Sequence, residues 1–149
     1  MTTVGDGSLG STIMNDDTLA IRAHKNSIAI TQAGDRERWL DLFAEGAEVF
    51  DPVGPSNHDP EGKGFIGKKR IGEFWDMMIA PADLVLVSHK RVACGQYICA
   101  ANITSASRVG DIKVATEMMV IYEVNEAGLI KSLRAHWDVD KSAEQFEVK

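Results

Sequence analysis

The sequence has few of the residues that mark disulfide-rich, metal-binding or membrane-spanning proteins. Its 149 residues include two cysteines, Cys94 and Cys99, which form neither a CxxC pair nor part of a zinc quartet. We therefore expect both thiols to be free, buried and reduced. No metal site is expected, since no histidine pair has a ligand spacing. No apolar run approaches the ~20 residues that a membrane span needs, so no membrane association is expected.

Positive charge is also scarce. The sequence carries 16 Lys and Arg against 22 Asp and Glu, which gives a formal net charge of −6 and a pI near 5.2. Nucleic acids and anionic membranes need a basic surface, so neither is an expected partner. Phosphate-binding glycine motifs are absent, and no cofactor is expected. The first residues lack the charged start and apolar core of a secretory signal, so we expect a cytoplasmic protein.

What the sequence does contain suits one compact domain, because 44% of its residues are hydrophobic. We expect a flexible tail at 1–16, the domain at 17–141 and a second tail at 142–149. Capping residues and apolar spacing predict three helices. These cover 18–33, a short segment from Asp35 to a stop at Gly46, and a segment with Ile71 and Ile79 on its apolar face.

The remaining segments are a loop and a series of strands. Residues 52–64 hold three of the four prolines, so they are predicted to form an irregular loop that can cover a site, with His58 able to close over a ligand. Period-two alternation then predicts strands at 84–94, 97–107, 113–124 and 130–138. Helices followed by antiparallel strands indicate the α+β class.

Asp51 is the residue that most suggests chemistry. It ends a predicted strand at 49–51, and Pro52 prevents it from continuing into a helix. A carboxylate at a strand end is a candidate proton-transfer base if apolar neighbours raise its pKa by disfavouring the charged form. The alternative is a turn-forming aspartate that bonds nearby backbone amides.

Several motifs in order resemble one family. They are QAGD at 32–35, LFA at 42–44, VFDPVG at 49–54, GK at 67–68, IGEFW at 71–75 and AGLIKSLRAHW at 127–137. Together they resemble the ketosteroid-isomerase branch of the nuclear-transport-factor-2-like, or SnoaL-like, superfamily, over about 20–140. The resemblance implies three N-terminal helices packed on a strongly curved mixed or antiparallel sheet. It also implies a hydrophobic pocket between helices and sheet, and a homodimer.

The resemblance assigns roles to specific positions. The aspartate of the family's DPVG motif is the base, and it corresponds to Asp51. The family's oxyanion hole is a tyrosine and a protonated aspartic acid, and these positions hold Ser27 and Val120 in this sequence. The aromatic positions that support the tyrosine in some members hold Phe43 and Trp75. Ser27 and an indole N–H are therefore the polar groups that this network retains.

Strand periodicity and the resemblance together give further pocket candidates. On the last strand Leu133, Ala135 and Trp137 share one face, and on the strand before it Met118, Val120 and Tyr122 do so. The resemblance implies that the Leu133 face lines the pocket. Tyr122 either donates a phenolic hydrogen bond into the pocket or places its ring in the core with its hydroxyl at the rim. His24 lies one turn before Ser27 on the same helix face. Either the two form a catalytic pair at the pocket, or His24 is an exposed or helix-packing residue. The complete set of predicted substrate-binding residues is Phe43, Phe65, Trp75, Met78, Met118, Val120, Leu133, Ala135 and Trp137.

The first hypothesis is therefore an enzyme without a cofactor that moves a proton on a bulky hydrophobic molecule of steroid-like, polycyclic or bi-aryl kind. Asp51 is the base, the catalytic partners are among His24, Ser27 and Tyr122, and the reaction is an isomerisation or an elimination. The second hypothesis is a protein that binds such a ligand in the same pocket without turnover. A third is a scaffold whose sheet contacts other proteins.

Overall fold

The structure is a computed structural model that describes residues 12–14, 16–143 and 146–148. Its elements in chain order are helix α1 (Leu19–Ala33), helix α2 (Arg36–Leu40), strand β1 (Phe43–Phe50), strand β2 (Phe65–Ile66), helix α3 (Lys68–Phe74) with a π-helical continuation (Trp75–Ile79), strand β3 (Val85–Cys94), strand β4 (Ile98–Val109), strand β5 (Ile112–Val124), strand β6 (Ile130–His136), helix α4 (Val139–Ala143) and strand β7 (Phe146–Val148).

Helix α1 begins and ends at the residues that its capping signals predict. The Thr18 side-chain oxygen accepts a hydrogen bond from the Ile21 N–H at 3.2 Å, which satisfies one of the free donors of the first turn. Gly34 ends the helix in the left-handed conformation, with φ +71°, where glycine has no steric penalty. The helix lays one face on the sheet, and that face includes Ser27 and Thr31.

The sheet supports the cavity described below. Its strands follow the order β2-β1-β6-β5-β4-β3, and β7 pairs with the first residues of β5. β1 runs parallel to β6, and the other pairs are antiparallel. This arrangement confirms the α+β class and the mixed, curved sheet. Alternation along β5 and β6 turns one set of side chains toward the helices, as predicted.

The second predicted helix is shorter than expected. It ends at Leu40, whereas the sequence predicted a stop at Gly46, and Phe43 already begins β1. The reason is tertiary pairing: Phe43 lies opposite Ile130 of β6, and strand hydrogen bonds replace helical ones there. Gly46 instead has φ +74° within a register irregularity of β1, where a β-bulge favours glycine.

Helix number and the C-terminal segment also differ from expectation. The described residues contain four α-helices, whereas three were predicted, because α4 follows β6. Strand β7 falls within the predicted tail at 142–149, and its backbone pairs with β5 at 112–114. The predicted tail at 1–16 lies mostly outside the described residues, and the domain boundaries stay a prediction.

The two cysteines are both free, as predicted, but only Cys99 is buried. Cys94 is exposed because it is the last residue of β3, which forms the edge of the sheet. Among the helices in the described ranges, none has the length and apolar character needed to cross a membrane.

Candidate active site

A cavity of about 260 Å³ lies between α1, the end of α3 and the sheet. Its wall is mostly apolar and, within the part of the chain that the structure describes, contains one carboxylate, Asp51, and no Lys, Arg or His side chain. Along β5, Tyr122, Val120 and Met118 are at most 9% exposed, whereas Thr116 is partly exposed. The cavity therefore has a closed end at Tyr122 and an open end at Thr116.

Asp51 follows the last residue of β1 and faces this cavity. The turn after it is tied to the sheet by a hydrogen bond of 2.8 Å from the Val53 N–H to the Ala135 carbonyl, and the Asp51–Pro52 peptide bond is cis. The Trp137 indole N–H donates a hydrogen bond of 2.6 Å to Asp51 Oδ1. The carboxylate is thus fixed beside the row of Ala135 and Val120.

The electrostatics of Asp51 are dominated by burial. Removal from water raises the pKa of Asp51 from the ordinary 3.8 to about 6, against the opposing effect of the Trp137 hydrogen bond. A carboxyl group with a pKa near 6 is largely ionised at neutral pH and can still hold a proton briefly. That property suits a group that accepts a proton and then returns it.

Ser27 and Tyr122 form a hydroxyl pair at the closed end. Tyr122 donates to Ser27 Oγ at 3.1 Å, and the Trp39 indole N–H donates to the same oxygen at 3.1 Å. The two hydroxyl groups carry two hydrogens, and their mutual bond uses one of them. The other hydrogen has no acceptor among the described residues, so this pair, which lines the cavity, has one O–H left to donate to a ligand.

His24 does not pair with Ser27, which corrects that prediction. Its Nε2 lies 3.1 Å from Ser88 Oγ, its ring meets the Tyr122 ring edge-on at 5.1 Å, and the residue is outside the cavity wall. Burial, with the charges of Arg91 and Lys25, lowers the pKa of His24 from 6.5 to about 3. His24 is therefore a neutral, buried packing residue, the alternative that the sequence had left open.

Nine predicted site residues do line the cavity, namely Ser27, Asp51, Met78, Met118, Val120, Tyr122, Leu133, Ala135 and Trp137. Phe43, Phe65 and Trp75 do not, and this is a correction. They lie in the core, at most 4% exposed, because Trp39 and Phe74 gather them into an aromatic cluster. The indole N–H at Ser27 accordingly belongs to Trp39, whereas the sequence had assigned it to Trp75.

The loop at 52–64 is irregular, as predicted, apart from a bridge between Ser56 and Asp59. The Asp59 carboxylate accepts hydrogen bonds from the Lys63 and Gly64 backbone N–H groups at 3.0 and 2.8 Å, which fixes the loop on itself. Apart from Asp51 just before it, the loop contributes no residue to the cavity wall. His58 is exposed, and its predicted closure over a ligand stays a prediction.

Sequence reasoning missed two parts of the site. The first is the Trp137 indole as a donor to Asp51, since Trp137 was placed only among apolar contacts. The second is a group of cavity-lining hydroxyl residues near the open end, Ser105, Ser107 and Thr116. Their alternation along β4 and β5 was the available signal, but polar alternation is also typical of a solvent-facing strand.

No group of three or more His, Cys, Asp or Glu residues in the described part of the chain is arranged to hold a metal ion. The polar groups of the residues that line this site are the hydroxyl groups, the indole N–H groups of Trp39 and Trp137, and the Asp51 carboxylate, which accepts from the Trp137 indole.

Comparisons with known proteins agree with this architecture. A family model described as a SnoaL-like domain matches residues 25–133. RV0760c from Mycobacterium tuberculosis superposes with a TM-score of 0.83 at 29% identity, covering 91% of this chain and 100% of that one. That protein has also been solved in complex with estradiol-17beta-hemisuccinate. Delta 5-3-ketosteroid isomerase from Mycobacterium sp. has a TM-score of 0.79 at 28% identity, with coverage of 89% and 99%.

A more distant similarity shows the fold alone. An epoxide hydrolase of the LEH-like type from M. tuberculosis has a TM-score of 0.70 at 20% identity, covering 85% of this chain and 88% of that one. Comparison with the curated proteins finds none that matches. Since the SnoaL-like model spans most of the domain and the neighbours share its fold, the chain belongs to the SnoaL-like, NTF2-like family.

Proposed function

We propose that this protein is an enzyme that works without a cofactor and transfers a proton on a bulky hydrophobic small molecule, with Asp51 as the general base. The observation that carries the proposal is the carboxylate itself. It is the one carboxyl group in the mostly apolar wall of the cavity in the described structure, and its pKa is raised to about 6. Substrates of steroid-like, polycyclic or bi-aryl kind suit the apolar wall.

The proposed reaction starts with a carbonyl compound. Asp51 takes a proton from the carbon next to the carbonyl group, and the electron pair of the broken C–H bond moves to the carbonyl oxygen. The free O–H of the Ser27 and Tyr122 pair donates to that oxygen. In a β,γ-unsaturated ketone, protonated Asp51 then returns the proton to the γ carbon while the double bond moves into conjugation, which completes an isomerisation. In an elimination, protonated Asp51 instead gives this proton to a β-hydroxyl group, which leaves as water as its C–O bond breaks and a C=C bond forms.

The comparisons support the substrate class without identifying a substrate. One neighbour is a ketosteroid isomerase, and another holds an estradiol ester. Both neighbours share the fold of this chain at 28–29% sequence identity, so the transfer of their chemistry to this chain is part of the proposal.

The test is Asp51→Asn, assayed with β,γ-unsaturated ketosteroids for isomerisation and with β-hydroxy ketones of aryl or polycyclic type for elimination. Loss of a general base is expected to lower kcat by about 10²–10⁴. Asp111→Asn is the matched control, because Asp111 is an exposed carboxylate in the turn between β4 and β5. Unchanged turnover in Asp51→Asn, with an active wild type, would remove Asp51 from the mechanism.

A second candidate is a binding protein that uses the same cavity without turnover. It is favoured by the single free hydroxyl hydrogen at the closed end, which is a weak substitute for two strong donors. In that case steroid ketones raise the melting temperature in a saturable way and no product forms at high protein concentration. A homodimer and a cytoplasmic location remain predictions.

A further inference from the structure

The open end of the cavity carries a cluster of hydroxyl groups that the proposed reaction does not use. We call it the hydroxyl cluster, and it consists of Thr31 on α1, Ser105 and Ser107 on β4, Thr116 on β5 and Ser142 on α4. Ser105 lies directly opposite Thr116 in the strand register, so these two side chains stand side by side on the cavity floor. The cluster therefore comes from four different elements.

Thr31 gives the cluster a wall opposite the sheet. Thr31 is 8% exposed and lines the cavity. The next residue, Gln32, fixes this end of α1 to β3 through hydrogen bonds to the Leu84 carbonyl and the Leu86 N–H. Leu86 in turn pairs with Ser105. The Gln32 bonds thus hold Thr31 at the level of Ser105 across the cavity.

Most of the cluster has no protein partner. Among the described residues, the hydroxyls of Thr31, Ser105 and Ser107 make no hydrogen bond, and Thr31 is buried. Thr116 Oγ1 and Ser142 Oγ lie 2.5 Å apart and bond to each other. Ser105 and Ser107 are partly exposed, and none of the oxygens of Thr31, Ser105 and Ser107 is among the fully buried, unpartnered atoms of the described residues, so these hydroxyls open onto the cavity. Because they stand on two facing walls and have no protein partner, they are free to bond one bound molecule from both sides.

The charge of the wall defines the ligand group. No cationic side chain lines the cavity in the described part of the chain, so a carboxylate or phosphate would have no counter-charge there. Hydroxyls both donate and accept, which suits a neutral ketone or alcohol oxygen.

The cluster is distant from the base. Thr116 is four residues from Val120, the β5 residue that pairs with Ala135 near Asp51, and four residues span about 13 Å along a strand. The oxygen would therefore lie far from the reacting carbon.

We propose that the hydroxyl cluster is a second binding subsite, which recognises an uncharged hydroxyl or ketone oxygen at the end of the ligand remote from Asp51. Ser105, Ser107 and Thr31 are the residues that recognise it. The proposal rests on the proposed function for the orientation of the ligand, because it places the reacting carbonyl at Ser27 and Tyr122. It deepens that function by requiring two oxygens at opposite ends of a long, neutral, polycyclic molecule.

The test compares two steroids that differ only in the remote oxygen, androst-4-ene-3,17-dione and androst-4-en-3-one. Their dissociation constants are measured by calorimetry or by quenching of tryptophan fluorescence, for the wild type and for the Ser105→Ala/Ser107→Ala variant. The preference for the dione over the monoketone is expected to fall by about 2- to 12-fold for each neutral hydrogen bond lost. Using the change in preference cancels the different hydration of the two steroids.

Thr31→Val is expected to reduce the same preference while keeping the shape of the side chain. Thr104→Val is the matched control, since Thr104 lies on the opposite face of β4, with His89 as its partner, and should leave the preference unchanged. An unchanged preference in Ser105→Ala/Ser107→Ala overturns the proposal. The proposal is also overturned if Tyr122→Phe, and not the serine variant, lowers the preference for the dione. It is overturned as well if neither steroid binds saturably.

The test of the subsite can succeed or fail independently of the test of Asp51 as the base. Neither steroid needs to react, so the subsite is measured by binding alone and can also be measured in Asp51→Asn. If Asp51 is not the base but the subsite exists, the preference still falls in the serine variant. If Asp51 is the base but the subsite is absent, kcat falls in Asp51→Asn and the preference does not change.

Discussion

Replacing Asp51 by Asn is expected to stabilise the folded protein at neutral pH while it removes activity. The carboxylate is held in an apolar cavity, and burial raises its pKa from 3.8 to about 6. The folded state therefore binds the proton more tightly than the unfolded state does. This group's contribution to the free energy of unfolding is fully present below pH 3.8 and is lost as the pH rises through 6.

The size of the effect follows from that difference. A rise of about two pH units in the pKa corresponds to a loss of up to about 3 kcal/mol above pH 6. Asn has no charge to desolvate, and its amide oxygen can still accept the Trp137 hydrogen bond. The free energy of unfolding of Asp51→Asn should therefore exceed that of the wild type by up to about 3 kcal/mol at pH 7.5, and the two should converge near pH 3.5.

Urea unfolding of both proteins across this pH range is the assay. The quantity to use is the difference between variant and wild type, because His24 gives both proteins an opposite slope: its lowered pKa removes stability as the pH falls below 6.5. The His24 contribution cancels in the difference. A difference that does not change between pH 4 and pH 7.5 would refute the inference that burial raises the pKa of Asp51.

Two further predictions concern the neighbours of these groups. Trp137→Phe removes a hydrogen bond to a carboxylate, worth about 1.5–3 kcal/mol, so the pKa of Asp51 should rise by a further 1–2 pH units. The acidic limb of the pH–rate profile should move upward by that amount, and an unmoved limb would contradict the assignment. His24→Leu should flatten the acid dependence of stability, because the wild type loses about 3 kcal/mol between pH 6.5 and pH 4 through His24 and the variant does not. Urea unfolding at the two pH values checks this, and equal losses in both proteins would contradict a neutral His24.

The parts of the site that lie on strands were predictable from the sequence. Side chains alternate strictly along a strand, so once Leu133 was assigned to the cavity, Ala135 and Trp137 followed. The same reasoning placed Met118 and Val120 on the strand beside them. Which residues share a face depends on local backbone geometry alone, which a single sequence contains, whereas the choice of the face that lines the pocket came from the family resemblance.

The positions taken from aromatic residues were less predictable. Phe43 and Trp75 were predicted to line the cavity, yet both pack in the core against Trp39. Which of several neighbouring aromatic rings faces a cavity depends on how the rings pack against each other, and that packing involves residues distant in sequence. For the same reason the sequence assigned to Trp75 the indole that bonds Ser27, which belongs to Trp39 in the structure.

The hydroxyl cluster was hidden by a different ambiguity. Ile103, Ser105 and Ser107 fall on one face of β4, and serine on alternate strand positions is usual where a sheet faces water. Only the position of α1, which the Gln32 hydrogen bonds to β3 fix, makes these serines part of a cavity wall. A long-range contact of this kind has no local signature in the sequence.

The number of donors at the closed end bears on which reaction the site can support. Ser27 and Tyr122 leave one O–H to donate, and Val120 places an apolar side chain at the position that the resemblance assigns to the family's second donor. Loss of one such donor costs about 10²–10³ in rate when the negative charge collects on the carbonyl oxygen. In an elimination the charge passes on to the leaving group, which a proton neutralises, so less of the barrier depends on this oxygen. If Asp51 is the base, as we propose, one neutral donor and a carboxyl group of pKa about 6 suit an elimination better than the isomerisation of an unsaturated ketone.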